Sequence, residues 1–127
     1  NKVLVILTDG VNLLTGIRSN RCFFTNPKYT SEYTGYGYVS EGRLGTTNRF
    51  FAPQLLNNRL AITCENIKAE GITIYTIVFQ LNSNTIQNLF RNCASDPDKF
   101  FNSPDNQQLR EAFRSIGAEL KNLRIAE

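Results

Sequence analysis

The chain has 127 residues, 41% of them hydrophobic and 20% charged, which is one domain's worth of core and excludes two ordinary domains or global disorder. It contains no histidine, so Ser-His-Asp and Cys-His nucleophilic mechanisms, His-ligated zinc and haem, and the usual neutral-pH proton shuttle are all excluded. Fourteen Lys and Arg against 11 Asp and Glu give a net charge of +3, without the Lys/Arg run that tracks a phosphate backbone, so no nucleic-acid partner is expected.

Lys2 to Leu7 reads KVLVIL, a nearly continuous apolar run rich in β-branched residues. That is the pattern of a strand buried on both faces of a mainly parallel sheet. The run opens directly after Asn1, so the chain reads as an excised or processed piece. Thr8-Asp9-Gly10 ends the strand. Residues 11–54 form a connection far longer than the roughly 4 to 6 residues usual in such units. It is rich in Gly, Tyr, Thr and Asn, and holds Tyr29, Tyr33, Tyr36 and Tyr38 together with Gly35 and Gly37. Two readings fit equally: a rigid-aromatic binding loop, or a partly disordered surface insertion.

A helix is expected over about Leu55 to Glu70, with Leu56, Leu60, Cys64 and Ile67 on the face that meets the sheet, and Gly71 as its C-terminal cap. Ile72 to Leu81 (ITIYTIVFQL) repeats the buried-strand pattern, completing a strand–helix–strand unit. A short helix follows from about Thr85 to Ala94, then a short strand at Lys99-Phe100-Phe101. Ser103-Pro104-Asp105 starts a last helix as a capping hydroxyl, an N1 proline and an acid near the positive dipole end. Its inward stripe is Leu109, Phe113, Ile116, Leu120 and Leu123. The whole reads as an α/β domain over residues 1–127.

Three sets of residues carry candidate chemistry. Asp9 stands at the carboxyl end of the first strand, where open α/β sheets place ligands, and with the Thr8 hydroxyl suits a hard cation such as Mg²⁺. Cys64 and Cys93 lie on helices that two successive right-handed crossovers put side by side, so either a disulfide or two buried thiols fits; Cys22 is left over. Asp96-Pro97-Asp98-Lys99 reads as a turn whose two acids are explained by turn chemistry, with a surface Ca²⁺ site as the alternative.

VILTDG, YTGYGY, GRLGTT, NIKAEGITIYTIVF and LFRNCASDPDKFFNSPDNQQLREAFRSIGAEL, in that order, resemble the C-terminal half of the von Willebrand factor A (vWA) domain in TadG-like (tight adherence) pilus assembly proteins of bacteria. The resemblance runs essentially end to end. It implies a doubly wound, Rossmann-like α/β fold and a non-catalytic binding or scaffold role in pilus assembly or adhesion. It also implies a periplasmic or cell-surface location, with an inner-membrane anchor outside this chain.

In that family the TDG aspartate belongs to a metal-ion-dependent adhesion site, a role that carries onto Asp9 alone. The Asp-x-Ser-x-Ser loop has no match here, so Mg²⁺ is expected only in a full-length protein and no cofactor in this chain. The resemblance implies a Cys64–Cys93 disulfide. It also implies a protein partner in the pilus or secretion apparatus, and association with another copy or with the missing half along the Val3 to Leu7 edge. The expected contact surface is the top of the sheet with Asp9 and Tyr33, Tyr36 and Tyr38. The alternative is a Mg²⁺-dependent hydrolase or phosphoryl-transfer domain using Asp9.

Overall fold

The structure, a computed structural model, describes residues 2–14 and 33–125. The fold is α/β. Strand β1 (Val3–Thr8) precedes the two-residue strands β2 (Tyr33–Thr34) and β3 (Gly37–Tyr38). Helix α1 (Ala52–Ala69), β4 (Thr73–Phe79), α2 (Asn84–Cys93), β5 (Phe100–Ser103) and α3 (Asn106–Ile125) follow. Residues 3–8, 73–79 and 100–103 form one parallel sheet in the order β1-β4-β5. The chain divides into two compact units, Asn1–Val11 with Ala61–Glu127, and Asn12–Leu60.

In the sheet unit, β1 pairs with β4 from Val3↔Thr73 to Thr8↔Val78, and β4 with β5 from Thr76↔Phe100 to Phe79↔Ser103. Parallel register puts paired residues on the same face, and alternation does the rest. Tyr75 and Ile77 bury against Ala112 and Ile116 of α3, with Val3, Phe101, Leu109 and Leu120 around them. Thr76, on the other face, is fully buried and donates its hydroxyl to the Phe90 carbonyl of α2 at 2.9 Å, which satisfies its polar atom. Helices therefore cover both faces of β4. Each of its large side chains contributes roughly 1.5–3 kcal/mol by leaving water.

Helix ends follow local chemistry. Pro53, with its fixed φ and no N–H to satisfy, stands in the first turn of α1. Gly71, at φ 72°, stops that helix: its N–H donates to the Lys68 carbonyl at 2.9 Å and the Ile72 N–H to the Ile67 carbonyl at 3.3 Å. This paired arrangement satisfies carbonyls that a helix end leaves open, and it needs the left-handed residue that glycine supplies cheaply. The Cys64–Cys93 disulfide joins α1 to α2 across a Cα–Cα distance of 5.2 Å. Lys68 adds a second link, donating to the Asn92 carbonyl at 2.9 Å while pairing with Glu65 at 2.8 Å.

Four sequence expectations change here. First, β1 lies at the edge of the sheet among the described residues, as the resemblance implied, but with Val5 39% and Leu7 46% exposed its apolar run is not buried on both faces. Second, Phe113 is 50% exposed and Ala112 takes its place against the sheet, because a small side chain fits where α3 approaches the bulky Tyr75. Third, Ser103 ends β5 as a buried residue, and the cap of α3 falls to Asp105, whose Oδ1 accepts the Gln108 N–H at 2.8 Å. Fourth, α1 begins at Ala52, and its first turns, with Leu55 and Leu56, pack against Val39, Leu44 and Ala52. The side chain of Leu123, and Cys22 and Tyr29, lie outside the described residues.

The second unit has its own nucleus. Val39, Leu44 and Ala52 are buried, with Leu14, Leu55 and Leu56 packed around them. Gly42 (φ 70°) and Gly45 (φ 98°) turn the chain between Val39 and the start of α1. The described part of the long connection is thus folded on an apolar centre of its own.

Candidate functional site

Of the tyrosines that sequence singled out, Tyr33, Tyr36 and Tyr38 come together on one hairpin. Tyr33 pairs with Tyr38 and Thr34 with Gly37. The Thr34 hydroxyl donates to the Gly37 carbonyl at 3.0 Å and accepts the Tyr36 N–H at 3.1 Å, closing the turn with a side chain in place of a longer ladder. Gly37 is favoured by its backbone, whose φ is 97°; a Cβ there would also stand 2.7 Å from Oε2 of Glu41, whose flexible side chain would have to move aside.

On this frame the rings are held but not covered. Tyr33 and Tyr38 meet edge to face at 5.1 Å between ring centres, a favoured aromatic geometry. Tyr33 is 72% and Tyr36 41% exposed, while Tyr38 is half-buried. The Arg59 guanidinium lies 4.3 Å from the centre of the Tyr36 ring, and its Nη2 donates to the Arg43 carbonyl at 3.0 Å. Arg43 in turn pairs with Glu41 at 3.5 Å. A stacked guanidinium orders Tyr36 without hiding it. Phe50 and Phe51 are exposed in the same unit, with Arg49 over the Phe50 ring at 4.9 Å. The chemistry on offer is contact area from ordered rings beside positive charge, the composition that dominates binding hot spots.

Asp9 is exposed just beyond the carboxyl end of β1. The Thr8 hydroxyl is engaged locally, donating to the Gly10 carbonyl at 2.9 Å and accepting the Gly10 N–H at 3.3 Å. No group of three or more His, Cys, Asp or Glu side chains comes together among the described residues. One carboxylate supplies a small part of the oxygen shell that Mg²⁺ demands. Among the described residues, the donors around Asp9 do not make up such a shell.

Asp96 and Asp98 both turn to Lys99, at 3.3 and 3.4 Å, in the turn that precedes β5. Burial lowers the Lys99 pKa, but the hydrogen bonds that its ammonium donates to the Asp96 and Asp98 carboxylates outweigh it and hold the group above its ordinary range. Lys99 also lies 5.7 Å from the Tyr75 ring centre. Tyr75 donates its hydroxyl to Oε2 of Glu119 at 2.6 Å, and burial together with that carboxylate pushes the phenol up to about 12. This network lies toward the amino ends of β4 and β5, opposite the end where open α/β sheets bind ligands, and its role is to tie α3 to the sheet. Sequence reading missed it, since Tyr75 and Glu119 are 44 residues apart. The alternation that turns Tyr75 toward α3 was the available signal.

Comparison with family models, with curated proteins and with solved structures returns no match.

Proposed function

We propose that the chain is a non-catalytic binding domain of the vWA type, the C-terminal half of a doubly wound fold, serving a tight-adherence-like pilus assembly or adhesion system in the periplasm or at the cell surface. The observation that carries the binding role is the ordered, exposed tyrosine hairpin, with Tyr36 stacked under Arg59. Rings held in place before contact lose little entropy on binding. The Cys64–Cys93 disulfide supports an oxidising compartment. The partner is a protein of the apparatus, met through Tyr33 and Tyr36. A second contact runs along the edge of β1, which has no outer neighbour strand among the described residues and whose exposed Val5 and Leu7 suit a further strand from another copy or from the rest of the domain.

Calorimetric titration against purified subunits of such an apparatus tests the reading. The double variant Tyr33→Ala/Tyr36→Ala is expected to bind at least about tenfold more weakly, with a melting temperature close to that of the parent because both rings are exposed. Tyr38 is kept because it is half-buried. Equal losses of affinity and stability would make the rings structural and remove the proposal's support.

A further inference from the structure

At the carboxyl ends of β4 and β5, beside the start of α2, lies an open cleft of about 460 Å³ lined by Gln80, Leu81, Asn82, Gln87, Asn102 and Pro104. That volume is in the range of small-molecule sites. Four of the six side chains are carboxamides and none is ionisable, in a chain that is 20% charged. A carboxamide offers donors and an acceptor in one plane. Four around one depression match a ligand whose own groups both give and take hydrogen bonds at close spacing, as the hydroxyls of a sugar ring do. A charged ligand would leave water for a wall with no counter-charge. Leu81 and Pro104 add apolar surface for a carbohydrate's C–H face. An extended peptide needs a row of strand edge, and the lining takes only Asn102 from β5.

The wall is also built at some cost. Gln80 follows β4 with φ 50°, in the left-handed region, while its N–H donates to the Ser103 carbonyl at 3.0 Å. Glycine would take that conformation with less strain. A side chain kept there, facing a cleft, is one whose amide has a use. Gln87 is half-buried on the first turns of α2, and its Nε2 donates to the Leu81 carbonyl at 2.9 Å, which fixes the plane of its amide.

We propose that this cleft is a binding site for a neutral sugar, met as a free saccharide or as the exposed residue of a glycan. The inference does not depend on the tyrosine hairpin. The experiment follows backbone amide signals of the intact chain during titration with N-acetylglucosamine, methyl α-mannoside and methyl β-galactoside, with glucuronate and a capped neutral tripeptide as comparison arms.

The expected result is saturable shifts confined to residues 80–87 and 102 with at least one neutral sugar. The dissociation constant should be about millimolar, as suits an open cleft. Asn82→Ala/Asn102→Ala, at two exposed positions, is expected to weaken binding at least about tenfold with the fold intact. Gln80→Gly is expected to raise the melting temperature by a few degrees while weakening binding. The proposal is overturned if no neutral sugar saturates the cleft at tens of millimolar, or if glucuronate or the tripeptide binds more tightly than every neutral sugar. It is equally overturned if the Asn82/Asn102 double variant, or a stabilised Gln80→Gly variant, keeps full affinity.

Discussion

The sheet unit and the tyrosine-bearing unit solve the same problem with different means. In the first, β4 is a run of large side chains buried on both faces, its internal polar groups are paired, and a disulfide fastens two of its helices. In the second, three buried residues and a few glycine turns hold a hairpin whose rings face outward. Apolar surface is spent on cohesion in one and left available in the other. Recognition surfaces belong to the less stable parts of a molecule, because what is fully buried has nothing left to offer a partner.

The largest expected effect tests what holds the sheet unit. Replacing both Cys64 and Cys93 with Ala removes a cross-link spanning 29 positions and is expected to cost roughly 3 to 4 kcal/mol, read from chemical denaturation. A loss below about 1 kcal/mol would mean that packing alone fastens α1 to α2.

A matched pair then sharpens the contrast. Ile116→Ala and Leu44→Ala each open a cavity at a site 3% exposed in the parent, and each is expected to cost about 3 kcal/mol. Hydrogen exchange separates them: Ile116→Ala lowers protection in β4, whereas Leu44→Ala lowers it around Tyr33 to Leu44 and spares β4. Equal loss in both regions after either change would make them one cooperative body.

A smaller effect concerns only the sheet unit and depends on pH. The folded state holds the Tyr75 phenol near 12 against an unperturbed 10, so it favours the neutral form. That stabilisation is fully present below about pH 10 and lost as pH rises through about 12. Denaturation curves across this window are expected to fall more steeply for the parent than for Tyr75→Phe, by on the order of 2 kcal/mol. Parallel curves would show that the Tyr75–Glu119 contact does not govern the phenol.

How much of this could be read from sequence differs between the units for physical reasons. The apolar runs at Val3 to Leu7 and Ile72 to Leu81 and the Gly71 stop follow from local pattern; topology brought Cys64 and Cys93 within reach but left bond or thiols open, and the resemblance implied the bond that the structure shows. An apolar run, however, has no period that marks which face is covered, so the exposure of Val5 and Leu7 was not legible, whereas the edge position of β1 was expected from the resemblance. A helical stripe likewise leaves Ala112 and Phe113 ambiguous until the size of Tyr75 across the interface is known. Tyr33, Tyr36 and Tyr38 stood out by composition, but the nucleus beneath them did not, since Val39, Leu44 and Ala52 share no periodicity. The carboxamide cleft was invisible for a related reason: Asn82, just after β4, and Asn102, in β5, come to line one cleft only through the parallel pairing of those strands.

The pairing of Val3 with Thr73 carries a kinetic consequence. β4, α2 and β5 are near neighbours along the chain and assemble by closing short loops, whereas β1 docks only after the whole intervening stretch has been drawn in. Refolding should therefore pass through a species whose central strand is bare along one side, and dilution or rapid closure is what spares that species from self-association.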